Sequence, residues 1–98
     1  MGRRNNMQIN VEYSAQVKRA AGVGRERVEL AGPATLGDLA ACVADLHGDE
    51  LKAVLLDGDG NVHPSILVFV GDEQVRAGDG CALADGDVVA FLSPISGG

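Results

Sequence analysis

GPATLGDLAACVADLHGDE, residues 32–50, is the stretch on which the reading of the fold turns. Leu36, Leu39, Ala40, Val43 and Leu46 recur at intervals of three and four, which is the spacing of one helix face. Thr35 is placed to cap the N-terminus, and Asp38 sets a negative charge in the first turn. Gly48 is placed to stop the helix. Cys42 flanks the apolar stripe and reads as a small core residue. His47, at the C-terminal end, gains slightly from the helix dipole when protonated, and nothing beside it in sequence points to chemistry.

Upstream of this helix the period drops from 3.6 to two. MQINVEY (7–13) alternates, with Met7, Ile9, Val11 and Tyr13 on one side, so it reads as a strand with one buried face. ERVEL (26–30) alternates in turn, with Val28 and Leu30 inward, and the glycine-rich AAGVG (20–24) between the two suggests a hairpin. Downstream, LKAVLLDGDGNVHPS (51–65) is a short apolar piece followed by a turn. ILVFV (66–70) is rich in β-formers, GDEQ (71–74) is a tight turn, and VRAGDGCALADGD (75–87) is a loop anchored by Leu83. VVAFL (88–92) is the last strand. Strands divided by one helix predict an α+β domain, the helix packed on one face of a sheet of four to five strands. The boundaries follow as a loose arm over 1–6, a domain over 7–92 and an extended, flexible tail over 93–98.

The bulk numbers narrow the function. Ninety-eight residues, 46 % hydrophobic and 22 % charged, suffice for one folded core. A net charge of −6 argues against a nucleic-acid binder, which needs a basic stripe, and suits a partner with a basic face. No apolar run is long enough for a membrane helix and no signal segment precedes the domain, which makes the cytoplasm the simplest compartment.

Familiar motifs fail on their details. DGDGN (57–61) matches the opening of an EF-hand loop, but Val62 and Val68 stand where that loop needs Gly and Glu, so it reads as a hairpin turn. GVGRER (22–27) has Arg27 in place of the third glycine of a dinucleotide loop. His63 lies in a loop before Pro64, and Cys81 lies in an acidic loop that opposes thiolate formation. The two Cys and two His are too scattered for a zinc site. No side-chain catalytic constellation is visible.

What remains is the end of the chain, SPISGG (93–98). With 14 glycines in 98 residues, composition alone gives a Gly-Gly ending about once in fifty. Glycine lacks a Cβ and fits a narrow channel, Pro94 stiffens the base, and the six residues reach about 20 Å when extended. The tip is a main-chain carboxylate, so the reactive group can be the terminus itself, delivered into another protein's active site.

The closing stretch DGDVVAFLSPISGG (85–98) resembles that of the ubiquitin-like sulfur carriers, a family that includes the small subunit of molybdopterin synthase (MoaD) and the thiazole sulfur carrier (ThiS). ILVFVGDEQV (66–75), LLDGDGNVHPS (55–65) and VEYSAQVKRAAG (11–22) are similar to the family's segments in the same order. Ser93 departs from the molybdopterin-type members, which often carry a second proline there. The resemblance implies a β-grasp fold, a mixed sheet wrapped over one main helix. It implies a carrier or small non-catalytic subunit rather than an enzyme, binding no cofactor or metal itself. An E1-like enzyme would adenylate the Gly98 carboxylate using ATP and magnesium, and a sulfur donor of desulfurase or rhodanese type would convert it to a thiocarboxylate. An acceptor such as the molybdopterin synthase large subunit would take the sulfur, with Pro94, Ile95, Ser96 and Gly97 threading the partner's site. Neither nucleic acid nor membrane is implied as a partner. Strand alternation adds a docking surface: with Ile66, Val68, Val70, Val89 and Phe91 inward, Leu67, Phe69 and Leu92 point away from the helix as an apolar patch. The same tail would serve a ubiquitin-like modifier joined through Gly98 to target lysines, or carriers for thiamine, tRNA thiolation or cysteine synthesis. A plain interaction module with an incidental Gly-Gly is the remaining reading.

Overall fold

The computed structural model describes residues 6–76 and 81–93. Eight elements follow in order: β1 (Asn6–Ser14), α1 (Gln16–Ala21), β2 (Arg25–Ala31), α2 (Leu36–His47), α3 (Asp49–Leu55), β3 (Leu67–Val70), β4 (Glu73–Val75) and β5 (Val88–Leu92). The strands form one sheet in the order β2-β1-β5-β3-β4. β1 and β5 run parallel at its centre, and the other pairs are antiparallel, so the sheet is mixed.

Alternation along β1 decides which face is covered. Met7, Ile9, Val11 and Tyr13 are buried, and the residues between them are not. Val28 and Leu30 of β2, Val68 of β3, and Val89 and Phe91 of β5 share that face. Leu36, Leu39, Val43, Leu51 and Leu55 of α2 and α3, each 0 % exposed, join them in one aliphatic core. Phe91 is the largest fully buried side chain, and a fully buried residue of this size contributes about 1.5–3 kcal/mol by leaving water.

The cap of α2 forms as its sequence predicts. The Thr35 hydroxyl accepts from the Asp38 amide at 3.3 Å, and the Asp38 carboxylate accepts from the Thr35 amide at 2.9 Å, a reciprocal capping box. Leu83 is buried and its amide donates to the Ala34 carbonyl at 2.9 Å, so it does anchor its loop. The turn over 57–61 is closed by the Asp57 carboxylate, which accepts from the Asp59 and Asn61 amides, and Leu56 bridges Val62 beyond it.

Six expectations need correction. The connection after β1 is not a bare turn: α1 occupies it, held by fully buried Val17 and ended by Gly22 at φ 82°. Six residues are too few to show a period. The short apolar piece after α2 is helix α3, begun immediately after Gly48, whose φ of 92° lets the chain stop one helix and start another. Leu46 does not belong to the buried stripe; it is 60 % exposed, and the last turn instead turns Ala44 and His47 toward the sheet. The turn after β3 is only Gly71 and Asp72, and Glu73, Gln74 and Val75 pair back as a fifth strand. At the seams, Asn6 already belongs to β1, and Ser93, assigned above to the tail, is 7 % exposed within the folded part.

Candidate functional site

Among the described residues, the helices cover one face of the sheet and leave the other bare. Register places the side chains on the bare face. Leu67 pairs with Leu92, and Phe69 pairs with Ala90, across β3 and β5. Val88 continues the β5 row, opposite Asn10 of β1. Leu67 is 42 % exposed and Val88 37 % exposed, while Phe69, Ala90 and Leu92 are half-buried by their neighbours. The three residues chosen from alternation, Leu67, Phe69 and Leu92, therefore lie together on one open face. Ala90 and Val88 extend the patch.

Toward β2 the same face turns polar. Glu12 pairs with Arg25, Asn10 with Arg27, and Gln8 with Glu29. The apolar half is the β3–β5 half, and it ends at the Leu67–Leu92 pair, beside the point where the chain leaves the sheet. The tail residues Pro94, Ile95, Ser96, Gly97 and Gly98 lie outside the described residues.

Ser93 is the last described residue of the chain. Its hydroxyl accepts a hydrogen bond from the Gln16 amide at 2.8 Å and donates to the Ser14 carbonyl at 3.4 Å. Both partners lie at the β1–α1 corner, so the end of β5 is tied to the end of its parallel neighbour.

On the covered face the end of β1 carries a second polar cluster. Glu26 has the parity of Val28 and Leu30 and so points inward. Its Oε2 accepts from the Tyr13 hydroxyl at 2.5 Å and lies 2.6 Å from His47 Nε2. Tyr13 also stacks on Phe91 and meets His47 edge to face. Burial first, and then the hydrogen bond to Glu26, push the Tyr13 phenol far above its ordinary range, so it stays protonated and donates. Burial also pushes the Cys42 thiol up, aided by the Asp45 and Glu26 carboxylates, which fits a core thiol and not a nucleophile. This cluster was missed from sequence, though its signal was present: a carboxylate in register with two inward apolar residues needs partners. His63 Nδ1 is taken up locally by Ser65. Among the described residues no group of three or more His, Cys, Asp or Glu side chains could hold a metal ion.

A mixed five-stranded sheet over helices, with its last strand at the centre, is the architecture of a β-grasp, ubiquitin-like domain. The model of the ThiS family matches residues 11–98, and the chain belongs to that family. Its relatives include a molybdopterin synthase sulfur carrier subunit of Chlamydomonas reinhardtii, 37 % identical over 94 % of this chain and 100 % of that protein. Small archaeal modifier protein 1 of Haloferax volcanii superposes with a TM-score of 0.82 at 30 % identity, over 93 % of this chain and 99 % of that one. A chain from the BexX/CysO complex of Amycolatopsis orientalis superposes with a TM-score of 0.69 at 29 % identity, over 92 % and 99 % respectively. The protein is thus of the small sulfur-carrier and modifier class, whose members are not catalysts in their own right. No helix among the described residues is long and apolar enough to cross a membrane.

Proposed function

We propose that this protein carries sulfur as a thiocarboxylate on Gly98 and delivers it in the cytoplasm for molybdopterin synthesis. The observation that carries the reading is the apolar row of Leu67, Phe69 and Leu92, which runs along the open face to the root of the Gly-Gly tail. A partner docked on that row would receive the tail, and 94–98 spans about 16 Å at roughly 3.3 Å per residue. The family and the named molybdopterin-type relative support the same assignment.

The chemistry needs only the terminal carbonyl. A carboxylate is a poor electrophile. In the site of an E1-like enzyme, a Gly98 carboxylate oxygen attacks the α-phosphorus of magnesium-bound ATP, and pyrophosphate leaves. The carbonyl carbon then carries AMP, a good leaving group. The terminal sulfur of a persulfide on a desulfurase or rhodanese-type donor attacks that carbon and expels AMP, and a second thiolate then cleaves the resulting acyl disulfide, leaving the thiocarboxylate on Gly98 and a disulfide on the donor side. Its sulfur is a soft nucleophile for an acceptor enzyme such as a molybdopterin synthase large subunit. Pro94, Ile95, Ser96 and Gly97 thread the channel, and Leu67, Phe69 and Leu92 dock. Ordering four tail residues costs about 4–8 kcal/mol, which the docked face must offset.

The likeness to small archaeal modifier protein 1 favours a second reading, in which Gly98 forms an isopeptide with target lysines. Mass spectrometry of the protein from its own cells separates the two. The carrier reading expects intact chain in which one terminal oxygen is replaced by sulfur, and the modifier reading expects branched peptides ending in Gly97–Gly98. Intact chain with an unmodified Gly98, together with no adducts, would defeat both. The protein co-purifying with the sulfur-loaded form identifies the acceptor and tells molybdopterin synthesis from thiamine, tRNA or cysteine pathways.

A further inference from the structure

We propose that Ser93 is the positioning residue of the tail: its hydroxyl caps α1 across 77 residues of chain and so fixes the point from which 94–98 leaves the sheet. The proposal rests on the reading of Gly98 as the working group.

The parallel ladder between β1 and β5 ends at Ser14 and Leu92. It cannot continue through the backbone on either side. At Ala15 the main chain turns away with φ 58° and ψ −128°, a left-handed conformation rare for a residue with a Cβ. Pro94 has no N–H to donate. Ser93 is the last described residue, and its side chain ties the end of β5 to the β1–α1 corner.

The donor it takes up is the one α1 leaves over. The first amides of a helix lack partners within the helix and are usually satisfied by a side chain at the N-cap. Here the N-cap is Ala15, which has no side-chain oxygen, and no local cap forms. The Ser93 hydroxyl supplies the missing acceptor to Gln16 and donates its own hydrogen bond to the Ser14 carbonyl. Ser93 is also the one buried polar residue among those described, at 7 % exposure. One hydroxyl thus locks three things together: the strained corner at Ala15, the start of α1 and the root of the tail.

The consequence is a shorter tether. With the clasp closed, five residues lie between the fixed point and the carboxylate. With it open, Ser93 joins the tail, and its ordering must be supplied each time the tail is threaded. Docking uses Leu67, Phe69 and Leu92 and is unaffected by that loss. The effect therefore falls on turnover rather than on binding.

Ser93→Ala removes one oxygen, and Ser93→Thr keeps the hydroxyl. In Ser93→Ala, exchange of the Gln16 amide is expected to speed roughly 2- to 30-fold, the range of a lost helix cap. The backbone order parameter at residue 93 should fall from about 0.85, typical of rigid chain, to below about 0.6, while α2 stays unchanged. A rigid residue 93 or an unchanged Gln16 amide in Ser93→Ala overturns the proposal, whatever Gly98 does. With the E1-like enzyme from the same cells, ATP–pyrophosphate exchange should show kcat lowered roughly 5- to 30-fold, the cost of ordering one more residue, with KM within about twofold. Ser93→Thr should restore kcat. Normal kcat in Ser93→Ala, or a loss confined to KM, overturns the positioning role. Failure of the wild-type protein to support exchange strikes at the Gly98 reading instead, and the amide measurements still decide whether the tail is rooted by Ser93.

Discussion

Neighbouring residues of β5 meet opposite surroundings. Val89 and Phe91 are 0 % exposed against the helices, whereas Val88 is 37 % exposed on the bare face of the same sheet. In β3, Val68 is covered and Leu67 is open. All are apolar, so hydropathy alone does not separate them; strand parity does. Residues that hold the domain together and residues free to meet a partner are interleaved one by one. The two sets can therefore be attacked separately by substitution.

The largest expected effect is on the covered side. Phe91→Ala should cost about 3–5 kcal/mol, read as a drop in the midpoint of denaturant unfolding, because it opens a cavity beside Tyr13. A change under about 1 kcal/mol would mean that the covered face is not the core. Next comes the open side. On the proposed docking, Phe69→Glu should weaken binding of an E1-like enzyme by about 30-fold or more, as loss of an interface anchor does, with the unfolding midpoint little changed. Unaltered capture of that partner would remove the patch from the docking surface, and an unfolded variant would erase the contrast between the faces.

Tyr13→Phe sharpens the comparison by showing that the covered side holds polar devices too. It should cost about 1.5 kcal/mol at neutral pH by removing a hydrogen bond to a carboxylate. It also has a pH signature. The folded chain holds the Tyr13 proton more tightly than the unfolded chain, so this stabilisation is complete below about pH 10 and declines as the unfolded phenol ionises above it. The stability advantage of the wild type over Tyr13→Phe should shrink as the pH rises above about 10; an advantage that does not change with pH there would rule out the buried donor. The smallest effect is expected at Leu46, where Leu46→Gln should stay within about 0.5 kcal/mol. A loss of 2 kcal/mol there would restore Leu46 to the buried stripe.

Much of this was legible in the sequence because its signals are local. The period of two in 7–13 needs only a few residues to declare a strand and its inward side, whereas 88–92 is apolar throughout and declares a strand by composition alone. The same parity placed Leu67, Phe69 and Leu92 on one face before their register was known. The Thr35–Asp38 cap could be read from three residues' spacing. What escaped was short or distant. α1 and β4 have six and three residues, fewer than a period needs, and tertiary contact decides them. Leu46 fits the helical repeat, yet its turn gives its inward place to His47, drawn by a glutamate 21 residues away. The clasp at Ser93 joins residues 77 apart in sequence, a distance over which no pattern in one chain speaks.

The central seat of β5 has a mechanical consequence. β5 is flanked on both sides, by parallel β1 and antiparallel β3, and is not an edge strand. A force applied along the axis of β5 loads the hydrogen bonds of both ladders in shear, all at once. An edge strand pulled outward would instead unzip bond by bond. Drawing β5 out of the sheet along its axis therefore requires both ladders to break together.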